Sequence, residues 1–302
     1  MVEYHYDWRH LVQEILFSGP NPLIHAAVSG LGHPLIHLGY AMEFDNREVA
    51  IEALSLIACF YSDIHKYLDD PQWTRPDRRP PWTSTSLFEI LDRVRSDRRF
   101  DDLFDQPGAD NVTRLFREKE PELMEWWNAW DLSPEGSPDV SARFEESQRL
   151  ATALLVGSVD AEKGRGYDFF LVHTLTTSHA VRILLPLIPP EFQLSLVKEW
   201  WLFILAVFIA QLRPAIDTNR IKRFDLGNQS WTNVVVPRAL QGEFRTDPHF
   251  VKGCRAMKEA AATWGDEDRY FEKAAVLFAT EFTGWGGFTA TGSRHAEEIP
   301  DI

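Results

Sequence analysis

EFQLSLVKEWWLFILAVFIAQL, Glu191 to Leu212, is the stretch that decides the fold. Its centre, Trp200 to Ala210, is the longest apolar run in the chain. Eleven residues are too few to cross a bilayer, for which about 20 are needed, and Lys198 and Glu199 stand directly before them. A helix apolar on every side belongs inside a folded protein, so other elements must surround this one.

Those elements also read as helices. Trp8 to Phe17 is amphipathic and stops at Ser18-Gly19-Pro20-Asn21-Pro22. Asp45 or Asn46 caps a helix from Arg47 to about Tyr67, with apolar Val49, Leu54, Ile57, Ala58 and Tyr61 at helical intervals. DDPQWTRPDRRPP, Asp69 to Pro81, can neither continue a helix nor fill a core, and reads as a loop or lid. Short helices follow at Ser86 to Val94 and Val112 to Trp130, then a loop at Ser133 to Pro138. Ala142 to Val156 is helical, and Asp168 caps Phe169 to Leu185. Asp247 as N-cap and Pro248 in the first turn start a helix that runs to Trp264 before Gly265, and Glu267 to Phe282 forms the last. Val234 to Val236 is the only strand-like run, so a parallel sheet has no support. The expected architecture is all-α, a single large multi-helix domain over residues 1–302 with long irregular loops and a loop-rich insertion around 69–138.

Composition limits what such a domain can do. The chain has 302 residues, 44% of them hydrophobic and 13% aromatic, ample for a core. It carries 31 Lys and Arg against 45 Asp and Glu, a net charge of -14, with a pI near 5.2. Nucleic acid and anionic membrane surfaces need clustered cations to replace counterions, so neither is an expected partner. Cys59 and Cys254 stand far apart, outside any zinc or redox spacing, and are expected to be buried thiols. With no basic or apolar leader in MVEYHYDWRH, they point to a cytoplasmic location. A homodimer is left open.

Three segments carry chemistry. In GLGHPLIHLGYAMEF, Gly30 to Phe44, His33 and His37 are four apart and Tyr40 and Phe44 continue their stripe. Such pairs commonly share a metal, although HxxxH without a metalloprotease glutamate is weak and spacing alone favours two hydrogen-bonded core histidines. Pro34 suits the first helical position, which makes His33 the N-cap and leaves the i, i+4 geometry open. In the second segment, His173 shares a face with Thr176 and Thr177, while His179 lies about 240° round from it. His173 is the better ligand candidate, and His179 is expected to bond a neighbouring backbone. In the third, His249 and Lys252 are three apart. The ordinary reading of Lys252 is a solvated ammonium; the sharper one is a desolvated lysine that acts as a base or takes up carbon dioxide as a carbamate. His65 is read as a helix-terminal or surface histidine.

GHPLIHLGYAMEF, YDFFLVHTLTTSHAVRILLP, WWLFILAVFIAQLRP, DPHFVKGCRAMKEAAATWG and FTGWGGF together resemble the questin oxidase-like proteins of fungal polyketide pathways. The likeness covers most of residues 8–70 and 165–290. It implies an all-α oxidoreductase that cleaves an anthraquinone-like ring by Baeyer-Villiger-like or dioxygenase chemistry, with non-haem Fe(II) held by four histidines and a carboxylated lysine. Carried over by motif, the metal ligands are His33, His37, His173, His249 and Lys252, with Lys252 and Tyr40 as catalytic candidates. Lys252 is preferred to Lys273 as the modified lysine because its helical partner is His249.

One family feature, an N-terminal HNHxxHHL-type motif expected to supply a ligand, is not reproduced by His5 or His10. The site is then completed by His25 or solvent, or lost. An aromatic polyketide and dioxygen are the implied partners, with Trp200, Trp201, Phe203 and Phe208 available to a flat substrate. No GxGxxG follows a strand, so no NADPH site is evident, although a flavin- or NADPH-dependent enzyme is a third reading. The second is a truncated, catalytically silent relative that binds a hydrophobic ligand or a partner.

Overall fold

The computed structural model describes residues 7–73, 80, 82–132, 144–160 and 164–288, and among these it is built from helices with no named strand. In chain order they are α1 (Trp8–Phe17), α2 (His33–Glu43), α3 (Arg47–Cys59), α4 (Lys66–Asp69), α5 (Leu87–Ser96), α6 (Asp110–Trp127), α7 (Phe144–Val156), α8 (Phe169–Leu184), α9 (Pro190–Ala210), α10 (Thr218–Lys222), α11 (Val236–Gln241), α12 (Pro248–Trp264) and α13 (Tyr270–Glu281). The all-α expectation holds.

The apolar stretch is the buried axis. From Leu196 to Ala210 every residue of α9 except Lys198 is buried, and the helix packs on α6 and α8. It is the one described helix long and apolar enough to cross a membrane, and most of its apolar window is covered by the rest of the protein. Trp200 meets Phe144 of α7 edge-on at 5.1 Å and Trp201 meets Trp130 at 5.7 Å. Both indoles are therefore core, not substrate wall. Glu199 is buried with them: its Oε1 accepts from the Val28 N–H at 3.0 Å, Oε2 has no partner, and burial raises its pKa well above the carboxylate range.

Around α9, α8 packs on α2, α7 and α12, and α12 on α13. Gly39 sets the approach of α2 to α8, since a Cβ there would lie 2.7 Å from both Cα and Cβ of Ala180. Asp168 caps α8 and Asp247 caps α12, each accepting two backbone N–H groups, as their positions in sequence predict.

Several boundaries differ from the expected ones. The helix from Arg47 ends at Cys59, and a 3-10 turn, Asp63–His65, separates it from the short α4, because side-chain periodicity runs on through a backbone break that carries no Pro or Gly. Of the strand-like valines, Val234 and Val235 lie in a π-helical turn, Trp231–Val235, opened by a reciprocal Ser230/Asn233 capping box, and Val236 begins α11. Cys59 is exposed, not buried, on the open face of α3; Cys254 is buried as expected. The 69–138 segment supplies core as well as loop: Leu87, Ile90, Leu91 and Val94 of α5 and Leu115, Leu123 and Trp127 of α6 are buried. Most of the Pro- and Arg-rich run, 74–79 and 81, lies outside the described residues, as does the loop at 133–138.

Candidate metal centre

The site starts from an unusual turn. Gly30, Leu31 and Gly32 are all left-handed, with φ of 58°, 57° and 76°. Glycine adopts this conformation freely; Leu31 does so at a cost in strain. The turn closes against its neighbours, for a Cβ on Gly32 would stand 2.3 Å from Thr177 Cγ2. It reverses the chain so that the Gly30 carbonyl lies 2.7 Å from Nδ1 of His33, the first residue of α2. His33 is thus the first helical residue, not the N-cap; Gly32 takes the cap position and Pro34 the next one in.

Three histidines from three helices converge. The ligand nitrogens of His33, His173 and His249 all lie within 4.8 Å of one another, with the His173 ring centred 4.9 Å from each of the other two. A carbonyl oxygen only accepts, so Nδ1 of His33 donates to Gly30 and Nδ1 of His173 to Phe169 O at 2.8 Å. Each ring is thereby fixed in the tautomer whose Nε2 offers a lone pair. Nε2 of His173 and of His249 are buried with no hydrogen-bond partner. Burial, then neighbouring positive charge, pushes the His173 pKa well below its ordinary value, lowers that of His33 and brings that of His249 to about 4. The cluster is neutral imidazole at neutral pH, the state in which histidine binds a metal.

Lys252 faces the same group. It lies one turn along α12 from His249, and its charge lowers the pKa of all three histidines. Its own pKa is lowered by burial, with Asp247 opposing the shift. Lys273, by contrast, donates to the Lys222 carbonyl at 3.0 Å near the surface of α13. The structure brings Lys252, not Lys273, to the histidines.

Three other expected residues stand elsewhere. His37 is 40° round and one turn up from His33, which turns its ring toward α3, where Nδ1 lies 3.3 Å from Glu52 Oε2. Tyr40 is two turns from His33, stacked on Phe44, with its buried hydroxyl unpartnered. Its neighbours form a separate polar layer on the same three helices: Glu43 accepts from His179 Nε2 at 3.1 Å and from Arg255 at 2.9 Å. His179 thus bonds a side chain, not the expected backbone, a partner that sequence distance hides. His25 does not join the cluster either, being held 2.6 Å from Asp69 Oδ1 and 3.0 Å from Ser195 Oγ. Asp69 binds His65 through its other oxygen at 2.6 Å, so His65 is partly covered.

The wall comes from residues that the sequence reading did not single out. Phe169 packs on His173 and His249 at 4.9 and 4.6 Å, and the exposed Phe288 lies 5.2 Å from Phe169, so an aromatic path runs from solvent to the imidazoles. The segment around Gly286 is tied across the start of α8 by Gly286 N to Tyr167 O at 2.7 Å and Phe169 N to Gly286 O at 2.9 Å. Trp285 Nε1 donates to Asp247 Oδ2 at 2.7 Å, joining that segment to the cap of the His249 helix. Gly287 is obligatory, since a Cβ would stand 2.5 Å from the Asp168 carboxyl carbon. Gln211 faces Asp168 Oδ2 and Gly287 O, both acceptors, so its amide nitrogen points there, at 2.8 and 3.2 Å.

The family model of questin oxidase-like proteins matches residues 1–257, most of the chain. The chain belongs to the questin oxidase-like family. Among curated relatives, this questin oxidase-like chain is 22% identical over 266 residues to a Baeyer-Villiger oxidase of Pestalotiopsis microspora, covering 83% of this chain and 58% of that protein. It is 26% identical to a Baeyer-Villiger monooxygenase of Aspergillus aculeatus, over 84% of this chain and 57% of the relative. Against the questin oxidase of Aspergillus fumigatus it is 27% identical, over 63% and 44%. The chain therefore spans about half the length of the curated relatives it matches.

Proposed function

We propose that this questin oxidase-like chain is a non-haem iron oxygenase that acts on an aromatic, anthraquinone-like polyketide. The observation that carries the reading is the pair of buried, unpartnered Nε2 atoms of His173 and His249 beside His33. A buried lone pair without a donor costs free energy, and two such atoms converging beside a third imidazole fit a metal ion better than any hydrogen-bond scheme among the described residues. The donor set suits iron: His33, His173 and His249 would hold it as neutral imidazoles, and Lys252 as its carbamate would add an anionic oxygen. When bound, Fe(II) supplies activation of dioxygen.

The chain's own residues do the rest. Gly30 O and Phe169 O hold two imidazoles in the binding tautomer. The lowered pKa of Lys252 keeps a larger share of its amine free to take up carbon dioxide than a surface lysine has. Phe169 and Phe288 offer flat apolar faces along the approach to the imidazoles, suited to stack a polycyclic substrate and exclude water from it. The relatives' names, Baeyer-Villiger enzymes and questin oxidases, support oxidative chemistry, and oxygen insertion next to a ring carbonyl is one form of it that they name.

The test is metal content of the protein purified without chelator, followed by anaerobic Fe(II) loading, on the parent and His173→Ala. About one equivalent of iron in the parent and none in the variant, with oxygen-dependent consumption of a hydroxyanthraquinone, is the expected result. Failure of the parent to take up Fe(II) would leave a ligand-binding protein without the oxygenase chemistry.

A further inference from the structure

A cavity of about 550 Å³ lies between α5, α7, α10 and α13 and shares no residue with the histidine site. Its floor is apolar and partly aromatic: Phe208, Leu91 and Tyr270 are almost fully buried beneath it, and Phe88 stands at its side. Three cations, Arg95, Arg149 and Lys222, border it against one acid, Asp92. Arg149 is neutralised internally, with Glu145 at 2.9 Å and Asp268 at 3.0 Å. Arg95 and Lys222 form no ion pair among the described residues, and Lys273, outside the lining, brings a further positive charge close by, its Nζ donating to the Lys222 carbonyl at 3.0 Å.

This reverses the character of the chain, whose net charge of -14 disfavours anions generally. An apolar hollow of this size takes a small organic molecule, and unpaired Arg and Lys at its edge select an anionic group on that molecule. We propose that the cavity binds an aromatic monocarboxylate, with its ring system against Phe208, Phe88 and Tyr270 and its carboxylate between Arg95 and Lys222.

Isothermal titration of the full chain with 2-naphthoate, its neutral analogue 2-naphthamide, and decanoate tests this. The acid is expected to bind with 1:1 stoichiometry, roughly tenfold tighter than the amide, and to weaken as salt rises. Arg95 and Lys222 are both exposed, so Arg95→Glu combined with Lys222→Glu leaves the fold intact. This double variant should lose roughly tenfold for the acid and little for the amide. Ala215→Trp, at an exposed position on the lining, should weaken both. Equal affinity for acid and amide, tighter binding of decanoate, or an unchanged affinity in the charge-reversed protein would overturn the assignment. His173→Ala should bind the acid normally, so this site stands or falls apart from the metal centre.

Discussion

His249 shows how a single side chain links burial to both chemistry and stability. Its pKa is lowered to about 4 by burial and by Lys252, while in the unfolded chain it takes up a proton near 6.5. Between these values the unfolded state binds the extra proton, so the His249 contribution to stability of the metal-free protein falls as pH drops from 6.5 to about 4 and levels off below, with His33 and His173 adding losses of the same sign. The share of His249 is at most about 3 kcal/mol, at about 1.36 kcal/mol per unit. His249→Asn should reduce the slope over that window in urea midpoints taken at several pH values; an unaltered slope would mean that the ring is hydrated in the folded protein. At this scale the sequence named His33, His173, His249 and Lys252 by spacing and resemblance. It could not separate His33 from His37, because the choice depends on a left-handed Gly30–Gly32 turn and on which neighbour, α8 or α3, each ring meets. Tyr40 shares a stripe with His33 but lies two turns, about 11 Å, along the helix, a separation that one-face periodicity does not express.

The helices that carry these residues are held by small contacts and by caps. Gly39 to Ala180 is the closest example, and Gly39→Ala would insert a methyl group 2.7 Å from backbone and side-chain carbon. Overpacking of this kind costs about 1–3 kcal/mol and should also weaken metal affinity by shifting α2 against α8. Chemical denaturation together with a Co(II) titration measures both; loss of stability with unchanged Co(II) affinity would mean that His33 is positioned by the turn alone.

Glu199 gives a different signal from α9. Its folded pKa lies well above the unfolded value, so the native state keeps a proton that the unfolded chain releases above about pH 4.3. Stability is therefore lost as pH rises from there toward the folded pKa, the reverse of the histidine effect. Glu199→Gln, which keeps an acceptor for the Val28 N–H, should remove that loss and leave the protein at least as stable at pH 7 by thermal melting; a drop of several kcal/mol would show that Glu199 is ionised in the fold. Caps at Asp168 and Asp247 were legible from sequence because a cap is local. The break after Cys59 and the 230–236 turn were not, because tertiary packing sets them.

Across the whole molecule, the proposed metal site gathers residues 33, 173 and 249 from α2, α8 and α12, helices that pack on one another. The resemblance brought these positions together before any coordinates did, whereas the aromatic approach through Phe169 and Phe288 needed the fold, since 119 positions separate those residues in sequence. An ion that binds three such distant helices has no equivalent site in the unfolded chain, so its binding free energy adds to folding. At a free metal concentration of about 100 times Kd, the gain is about 2.7 kcal/mol. Loading with Co(II) or Fe(II) under anaerobic conditions should raise the melting temperature of the parent in a concentration-dependent way, and a chelator should reverse it. His37→Ala should keep that increment because its ring faces Glu52. His173→Ala should lose it, read as the difference between metal-loaded and metal-free samples of the same variant, because the cavity left by a fully buried ring lowers the metal-free melting temperature as well. If His37→Ala abolished the increment while His173→Ala preserved it, the ion would be held by the HPLIH pair, His33 and His37, and the convergence of the three helices would be packing alone.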